Sequence, residues 1–294
     1  MITIVGHLTI DEVVLKRGTH YSMGGVACYA ALTAKLLGSE VRIVSKVGVD
    51  FPSEYLNLLR SKGIDISEIQ IDPESRTTSF QLNYLCGERK LKLLSRAADI
   101  SLKEIESEAI YLGPVAWEIS LADVRRLLRG GKMVTLDPQG LMRKVRDDRV
   151  IILSPIDLRL SNLWSLRISR EEAGIISKSP DPDMMLESLK NTGAEVIILT
   201  LGSEGALIYN GRKKIEVPSY KVPEIDPTGA GDAFGGAFVA EYLNSKDLEL
   251  AASMGSAAAS LVVEEIGFRS LISPSAKSEI RRRAGEIYES IREL

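Results

Sequence analysis

The sequence predicts an α/β fold in which a mainly parallel β-sheet is covered by helices on both faces. From residue 109 onward, short apolar segments alternate with segments of helical periodicity, as in strand–helix–strand units. The segments Ile2–Val5 and Ala109–Leu112 are almost continuously apolar, which is typical of parallel strands buried on both faces. Of the 294 residues, 45% are hydrophobic and 26% are charged, as in an ordinary globular protein.

Composition also limits the kinds of partner. The formal net charge is −3 and there is no basic block, so nothing favours binding of nucleic acid. No apolar run approaches the roughly 20 residues that span a bilayer, and the N-terminus, MITIVGHLTI, lacks the cationic start of a signal peptide. Cys28 and Cys86 lie far apart, and His7 and His20 form no ligand cluster. We therefore expect a cytoplasmic protein without a nucleic acid or membrane partner.

The first third of the chain predicts strands, two helices and a small separate sheet. The strands are Ile2–Val5, Val41–Val47 and Ile69–Ile71, and the helices are Val26–Leu37 and Phe51–Ser61, the second with Asp50 as its N-cap. Two β-prone arms, Thr77–Leu85 and Lys90–Arg96, flank the turn Cys86-Gly87-Glu88-Arg89 and predict a hairpin. We expect this hairpin to form a small sheet with the strand-like segment Val13–Tyr21.

The remaining elements complete the sheet and its covering layers. The predicted strands are Ala109–Leu112, Lys132–Leu136, Val150–Leu153, Glu195–Leu201, Ala206–Tyr209 and Lys214–Val217. The predicted helices are Trp117–Leu128, a short piece near Asp157–Trp164, Asp181–Asn191, Leu248–Val263 and a final helix from Ser273-Pro274 to about Arg292.

The stretch Glu224–Phe238, EIDPTGAGDAFGGAF, carries the strongest chemical signal. Gly229 and Gly231 directly precede a run with helical periodicity, so a glycine-rich loop leads into a helix N-terminus. The first-turn N–H groups have no partner within the helix, and the helix dipole favours negative charge there. The stretch therefore predicts an anion site with Asp232 at its mouth. A purely structural alternative is that Asp232 offsets the helix dipole.

The string Asp226-Pro-Thr-Gly-Ala-Gly-Asp232-Ala-Phe resembles the signature of the PfkB/ribokinase family of sugar kinases. Further elements similar to that family are Asp11, Gly24-Gly25, Val47-Gly48-Val49-Asp50 and Thr200–Gly205. The resemblance covers nearly the whole chain. It implies a ribokinase-like three-layer α/β/α sandwich with a mainly parallel central sheet. It also implies one domain over residues 1–294, with a small β-sheet lid formed by residues 12–22 and 77–96.

The resemblance implies transfer of the γ-phosphoryl group of ATP to a hydroxyl of a small polyol. In this interpretation Asp232 is the general base, and the N–H groups of Gly229, Ala230 and Gly231 hold the negative charge of the phosphoryl group. We expect the pKa of Asp232 to be low beside the helix N-terminus, which makes it a weak base.

Two carboxylates are linked to cations by the resemblance. Glu172 would hold Mg²⁺ through water, and Asp226 would help a monovalent cation such as K⁺ to order the loop. The family's asparagine three residues before the glutamate is Ser169 here. Ser169 and Glu172 also fit a helix capping box, and both roles are compatible.

Five positions are candidate acceptor-binding residues: Asp11, Gly24, Gly25, Tyr29 and Asp137. Asp11 and the glycine pair match the family, where the carboxylate accepts substrate hydroxyl groups. Tyr29 stands where the family usually has asparagine. It supplies one hydroxyl and a stacking face, or alternatively packs in the core. This departure keeps a nucleoside and a cyclitol open as acceptors.

The candidate nucleotide-binding residues are Thr200, Gly202, Gly205, Thr228 and Gly229. The alternative for Thr200–Gly205 is a plain turn between two strands. We expect a monomer, or a homodimer formed through the lid. A kinase fold that binds a nucleotide or metabolite without catalysis is an alternative of a different class, and retention of Asp232 argues against it.

Overall fold

The structure is a computed structural model that describes residues 1–16, 18–85, 90–102 and 104–294. The strands are β1 Ile2–Val5, β2 Thr9–Leu15, β3 Gly18–Gly24, β4 Val41–Gly48, β5 Asp65–Asp72, β6 Ser79–Asn83, β7 Lys90–Ser95, β8 Ala109–Leu112, β9 Met133–Leu136, β10 Arg143–Val145, β11 Ile151–Leu153, β12 Ser165–Ser169, β13 Val196–Thr200, β14 Ala206–Tyr209, β15 Lys214–Val217 and β16 Arg292–Glu293. The helices are α1 Val26–Leu37, α2 Ser53–Ser61, α3 Leu121–Leu128, α4 Gln139–Met142, α5 Arg170–Ser177, α6 Pro182–Leu189, α7 Ala230–Ser245, α8 Leu248–Val262, α9 Arg269–Ile272 and α10 Ala276–Tyr288. The predicted turn Cys86-Gly87-Glu88-Arg89 lies outside the described residues.

The central sheet confirms the predicted mainly parallel arrangement. Among the described residues its strand order is β16-β15-β14-β13-β12-β9-β8-β1-β4-β5. Between the edge strand β5 and strand β13 in this order, each strand pairs in parallel with its neighbours. Strands β14, β15 and β16 extend the sheet beyond β13 by antiparallel pairing. The carboxyl ends of the parallel strands therefore meet at one edge of the sheet, where ligands bind in folds of this kind.

Alternate residues of the central strands divide between two core layers. Ile4 and Tyr111 pack with α1, α7, α8 and α10 on one face of the sheet. Val5 and Leu112 pack with α3, α5 and α6 on the other face. The alternation follows from the two-residue period of a strand and gives the predicted α/β/α layers. No helix within the described ranges is long and apolar enough to cross a membrane.

The predicted lid is a separate four-stranded sheet in the order β3-β2-β6-β7. The predicted segment Val13–Tyr21 forms two strands instead of one. Strand β2 begins before it, at Thr9, and strand β3 ends after it, at Gly24. Asp11 lies beside Phe80 in the parallel β2–β6 pairing, and Leu82 lies opposite Leu91. These four side chains alternate with more exposed ones along their strands and belong to one buried face of the lid.

Two predicted helix starts are wrong. Helix α2 begins at Ser53 instead of Phe51, because Pro52 has an extended backbone and disfavours helix at the residue before it. Asp50 is not its N-cap, since one oxygen of its carboxylate accepts the Thr77 N–H at 2.7 Å. Helix α3 begins at Leu121 instead of Trp117, with Ser120 as its N-cap.

The region from Arg143 to Ser169 differs most from the prediction. The predicted strand Val150–Leu153 lies outside the central sheet, because β11 pairs antiparallel with β10 in a two-stranded hairpin of its own. The segment Asp157–Trp164 contains no helix. It leads instead into β12, a strand of the central sheet that the apolar pattern did not reveal because Arg167 interrupts it.

Candidate active site

Helix α7 begins at Ala230, directly after the glycine-rich loop, as predicted. Gly229 precedes it with a positive φ of 80°, and no side chain of the described residues caps the helix. An ideal Cβ on Gly229 would lie 2.4 Å from the Tyr29 ring, so only glycine allows this loop to rest on the aromatic face. The Ala230 N–H donates to the Pro227 carbonyl at 3.3 Å, so this predicted anion donor already has a partner within the turn.

The fully buried Asp226 holds the loop in place. One oxygen of its carboxylate accepts the Thr228 N–H at 3.0 Å, and the other accepts the Gly267 N–H at 3.1 Å. The Thr228 hydroxyl in turn lies 3.0 Å from the hydroxyl of Tyr84, which follows lid strand β6. The loop is therefore fixed from below by a carboxylate and contacts the lid from above. A monovalent cation at Asp226 stays a prediction.

Arg167 is the main site residue that sequence reasoning missed. Its guanidinium lies against Gly231, because an ideal Cβ on that glycine would come within 1.5 Å of Arg167 Nη2. The same guanidinium forms a buried ion pair with Asp137 at the end of β9. A charged residue within an otherwise apolar strand, near its carboxyl end, is the signal that would have found it.

The ion pair changes the role expected for Asp137. Its carboxylate is fully buried behind Arg167 and also accepts the Gln139 N–H at 3.2 Å. Burial raises the pKa of Asp137 above its ordinary value, and the Arg167 charge offsets part of that rise. Asp137 thus holds Arg167 in place, and a direct contact of Asp137 with the acceptor stays a prediction.

Asp232 is partly buried in the first turn of α7, and its carboxylate accepts a hydrogen bond from Gln139 Nε2 at 3.2 Å. Burial raises the pKa of this carboxyl above its ordinary value, although the nearby Arg167 and Arg143 guanidinium groups favour the charged form. The predicted low pKa is therefore wrong, because loss of hydration outweighs the favourable charges of the two guanidinium groups. A raised pKa makes Asp232 a stronger base than the sequence suggested.

Asp11 lies on the inner face of the lid sheet and is 5% exposed. One oxygen of its carboxylate, Oδ1, has no hydrogen-bond partner among the described residues, and burial raises the pKa of this carboxyl to about 7. Gly24 makes room for it, since an ideal Cβ there would lie 2.0 Å from Asp11 Oδ2. Gly24 thus admits the Asp11 carboxylate, whereas Gly25 lies against the His7 backbone and lines the cavity described below, so its contact with a ligand stays a prediction.

Tyr29 and Glu172 each have the structural role that the sequence left open and lie beside a cavity, and contact of Tyr29 with an acceptor and of Glu172 with Mg²⁺ stay predictions. The Tyr29 side chain is 1% exposed and supports Gly229, and the residue also lines the cavity described below. Ser169 and Glu172 form the predicted capping box, with the Ser169 hydroxyl donating to Glu172 Oε2 at 2.7 Å. Glu172 lines the same cavity, so its capping role leaves it beside the site.

Two cavities meet at Gly231 and Arg167. The first cavity, of about 660 Å³, lies under the lid and is lined by Asp11, Gly25, Tyr29, Thr228, Gly229 and Asp232 among others. The second cavity, of about 570 Å³, lies between the β13–β14 turn and helices α7 and α8, and its lining includes Thr200, Gly202, Gly205, Ala230, Phe234 and Ala259. Thr228 and Gly229 were predicted on the nucleotide side, but they line the first cavity. Gly231, Arg167, Ser169, Glu171 and Pro227 line both.

Two cavities joined at a helix N-terminus suit the transfer of a negatively charged group between two bound molecules. The sequence model of the pfkB family of carbohydrate kinases matches residues 1–275. The chain belongs to the pfkB family. It is therefore a kinase that transfers a phosphoryl group to an alcohol acceptor. PfkB kinases use a nucleotide or phosphate donor together with Mg²⁺.

Relatives of this pfkB kinase differ in acceptor and donor. A cytidine kinase of Thermococcus kodakarensis is 30% identical over 277 residues, which cover 90% of this chain and 97% of that protein. An inositol 3-kinase of Arabidopsis thaliana is 26% identical over 297 residues, covering 96% of this chain and 80% of that protein. A pyrophosphate-dependent kinase of the ribokinase family, solved as a sulfate complex, has a TM-score of 0.83 at 23% identity over 96% of this chain and 99% of that chain. This structural likeness shows that the fold is ribokinase-like.

Asp11→Asn is expected to stabilise this pfkB kinase at pH 8 while impairing it as an enzyme. A carboxyl whose pKa is higher in the folded state contributes stability at acidic pH, and this is lost as the pH rises through about 7. At pH 8 the ionised Asp11 therefore costs about 1.4 kcal/mol for each pKa unit of the shift, and asparagine removes that cost. The catalytic efficiency kcat/KM should fall about 10- to 100-fold, because a charge-assisted hydrogen bond to the acceptor is lost.

Denaturant unfolding at pH 4, 6 and 8 tests the stability effect of Asp11→Asn, and the advantage of the variant should shrink toward pH 4. Steady-state kinetics test the second effect. A variant that is less stable than the parent at pH 8, or one with unchanged kcat/KM, would contradict this account of Asp11.

Proposed function

We propose that this pfkB kinase transfers the γ-phosphoryl group of ATP to a ribose hydroxyl of a nucleoside. The observation that carries the proposal is the composition of the first cavity. Its lining holds the carboxylates of Asp11 and Asp232, which suit a hydroxylated sugar. The lining also includes an apolar wall formed by side chains of the lid and of the β10–β11 hairpin: Phe80, Leu82, Leu91, Ile151 and Leu153.

The apolar wall favours a nucleoside over a small polyol. A polyol carries hydroxyl groups on all sides, and those facing leucine would lose their hydrogen bonds to water without replacement. A nucleobase has apolar faces and places its polar groups at the edge. The volume of about 660 Å³ is within the usual range for sites that enclose a ligand of this size. The similarity to a cytidine kinase supports the same choice.

The second cavity favours a nucleotide donor. Its lining is mainly apolar and includes Leu201, Phe234, Ala259 and Val263. Pyrophosphate is small and fully charged and has no part that would use this surface. The adenine and ribose of ATP would contact this apolar surface. We therefore propose ATP as the donor, with its phosphates at the junction of the two cavities and its base toward α8.

At the junction, Asp232 takes the proton of the attacking hydroxyl while backbone N–H groups at Gly231 and the Arg167 guanidinium stabilise the charge on the transferred group. The raised pKa of Asp232 makes its carboxylate a stronger base for this step. The lid excludes water that would otherwise hydrolyse the donor.

Mg²⁺ supplies charge neutralisation on the donor phosphates when it is bound. Within the described ranges no three His, Cys, Asp or Glu side chains could hold a metal ion together, so the ion would need phosphate oxygens among its ligands. Glu172 lines the first cavity next to Ser169, which also borders the second, and would hold the ion through water.

A coupled assay that follows ADP or phosphate release tests the proposal. We expect ATP with cytidine or another nucleoside to give kcat/KM at least about tenfold above ribose, fructose or myo-inositol, the scale of one apolar contact. Pyrophosphate should replace ATP poorly. Turnover of myo-inositol with no nucleoside turnover would overturn the acceptor, and preference for pyrophosphate would overturn the donor.

A pair of lid variants tests the apolar wall directly. Leu91→Ala should lower kcat/KM for nucleosides about tenfold and affect small polyols less, because the lost contact is with the base. Lys92→Ala is the matched control, since it is the next residue of β7, on the more exposed face, and lies outside the cavity lining. Equal losses for both acceptor classes in Leu91→Ala would argue against a base at this wall.

A further inference from the structure

Gln139, the first residue of α4, connects Asp232 to Arg143. Its side-chain Nε2 donates to Asp232 Oδ1 at 3.2 Å, and its Oε1 accepts from Arg143 Nη2 at 2.5 Å. Arg143 Nη1 donates to the Val115 carbonyl at 2.8 Å, which fixes the guanidinium to the backbone before α3. All three side chains line the first cavity.

This chain of contacts determines which way the Gln139 amide points. An arginine side chain only donates hydrogen bonds, so the amide oxygen must face Arg143. The amide nitrogen then faces Asp232 and donates to one oxygen of its carboxylate. That hydrogen bond fixes the rotation of the carboxylate and favours its charged form, while the other oxygen stays available for an acceptor hydroxyl.

The same chain reaches the lid. The Arg143 guanidinium lies over the Phe80 ring, with 5.3 Å between its central carbon and the ring centroid. Phe80 belongs to lid strand β6 and lies on the inner face, beside Asp11. A lid residue is thereby connected, through Arg143 and Gln139, to the carboxylate at the start of α7.

We propose that Gln139 is a positioning residue for the base Asp232, and that Arg143 makes this positioning depend on the lid through Phe80. The proposal rests on the proposed function, in which Asp232 is the base. When Phe80 lies over Arg143, the guanidinium is held against Gln139 and the carboxylate is oriented.

Other charged groups act on Asp232 together with the Gln139 amide. They are Arg143 on β10, Arg167 on β12, Glu172 on α5, Asp137 at the end of β9 and Asp11 on β2. Substitution of Gln139 retains all five side chains but also removes the hydrogen bond that holds Arg143, so a shift in the titration of Asp232 reports loss of the whole Gln139 bridge.

Gln139→Met keeps the length of the side chain and removes its hydrogen bonds. We expect kcat to fall about ten- to a hundredfold, the scale of a misplaced catalytic group, with the KM for the donor changed less than about threefold. The acidic limb of the kcat profile should move to higher pH, because a hydrogen bond to the charged form is lost. Phe80→Leu should reproduce part of the loss in kcat with a smaller movement of that limb.

Gln81→Met is the matched control, because Gln81 lies on the other face of β6 and donates to Glu12 at 3.0 Å. Its kinetics should equal those of the parent. If Gln139→Met raises only the KM for the acceptor, Gln139 is a substrate contact and the proposal is wrong. If it lowers kcat without moving the pH profile, positioning of the base is also excluded.

A measurement without turnover separates this proposal from the proposed function. The Asp232 carboxyl carbon, followed by NMR during a pH titration, should titrate at higher pH in Gln139→Met than in the parent. An unchanged titration would overturn the role of Gln139 even in an active enzyme. A parent protein that phosphorylates none of the acceptors would overturn the proposed function, whatever the titration shows.

Discussion

Asp232→Asn is expected to lower turnover at least about a hundredfold, the usual scale for loss of a general base. Asparagine keeps the shape of the side chain and an oxygen that can accept from Gln139 Nε2, so the fold should persist. It cannot take the proton of the attacking hydroxyl. Single-turnover kinetics with saturating ATP and a nucleoside measure the effect, and donor binding is checked by titration calorimetry.

The pH dependence of the parent enzyme adds a second check on Asp232. Because burial raises the pKa of its carboxyl, activity should fall with decreasing pH at a value above the ordinary range of an aspartate. Asp183→Asn, an exposed residue in the first turn of α6, is the control and should behave as the parent. Near-normal turnover of Asp232→Asn would remove Asp232 as the base.

Gly231→Val is expected to abolish measurable phosphoryl transfer. An ideal Cβ at Gly231 would lie 1.5 Å from Arg167 Nη2, so the guanidinium must move. Its departure removes a positive charge from the junction of the two cavities and leaves the buried Asp137 carboxylate without its partner. Breaking a buried ion pair costs about 3–5 kcal/mol, so the free energy of unfolding should fall as well.

Two further glycine variants help to separate the loss of phosphoryl transfer from the loss of folding stability in Gly231→Val. Gly285→Ala on α10 is the control, because nothing lies within 4 Å of an ideal Cβ there, and alanine should leave activity unchanged. Gly231→Ala tests the minimum steric change. Normal kcat and normal unfolding in Gly231→Ala would show that Arg167 does not depend on this close approach.

The local chemistry of the chain was predictable because it depends on short spacings. The loop and helix of Asp226–Phe238, the capping box at Ser169 and the two hairpin strands of the lid formed where the pattern predicted them. Periodicity also revealed the two buried faces of the sheet. A predicted local contact was wrong where a tertiary contact competed with it. Asp50, for example, accepts a hydrogen bond from the Thr77 backbone and does not cap α2.

The site was predicted only in part, since several of its residues have no motif of their own. Arg167 and Arg143 are far from Asp232 in the sequence and look like ordinary surface charges. Asp137 was noticed at a strand end, but its partner was not. The hairpin β10–β11 forms part of a cavity wall, whereas the apolar pattern had assigned the segment of β11 to the central sheet.

The sequence by itself determined the fold class and the family and pointed to Asp11 and Asp232 as candidate site residues, because periodicity and contiguous motifs are local properties. The tertiary structure decided three further things: that burial raises the pKa of Asp232, that Arg167 lies at the junction of two cavities, and that Gln139 connects Asp232 to the lid through Arg143. The physical reason is that burial and charge pairing depend on distances between residues remote in the chain. No local pattern encodes those distances.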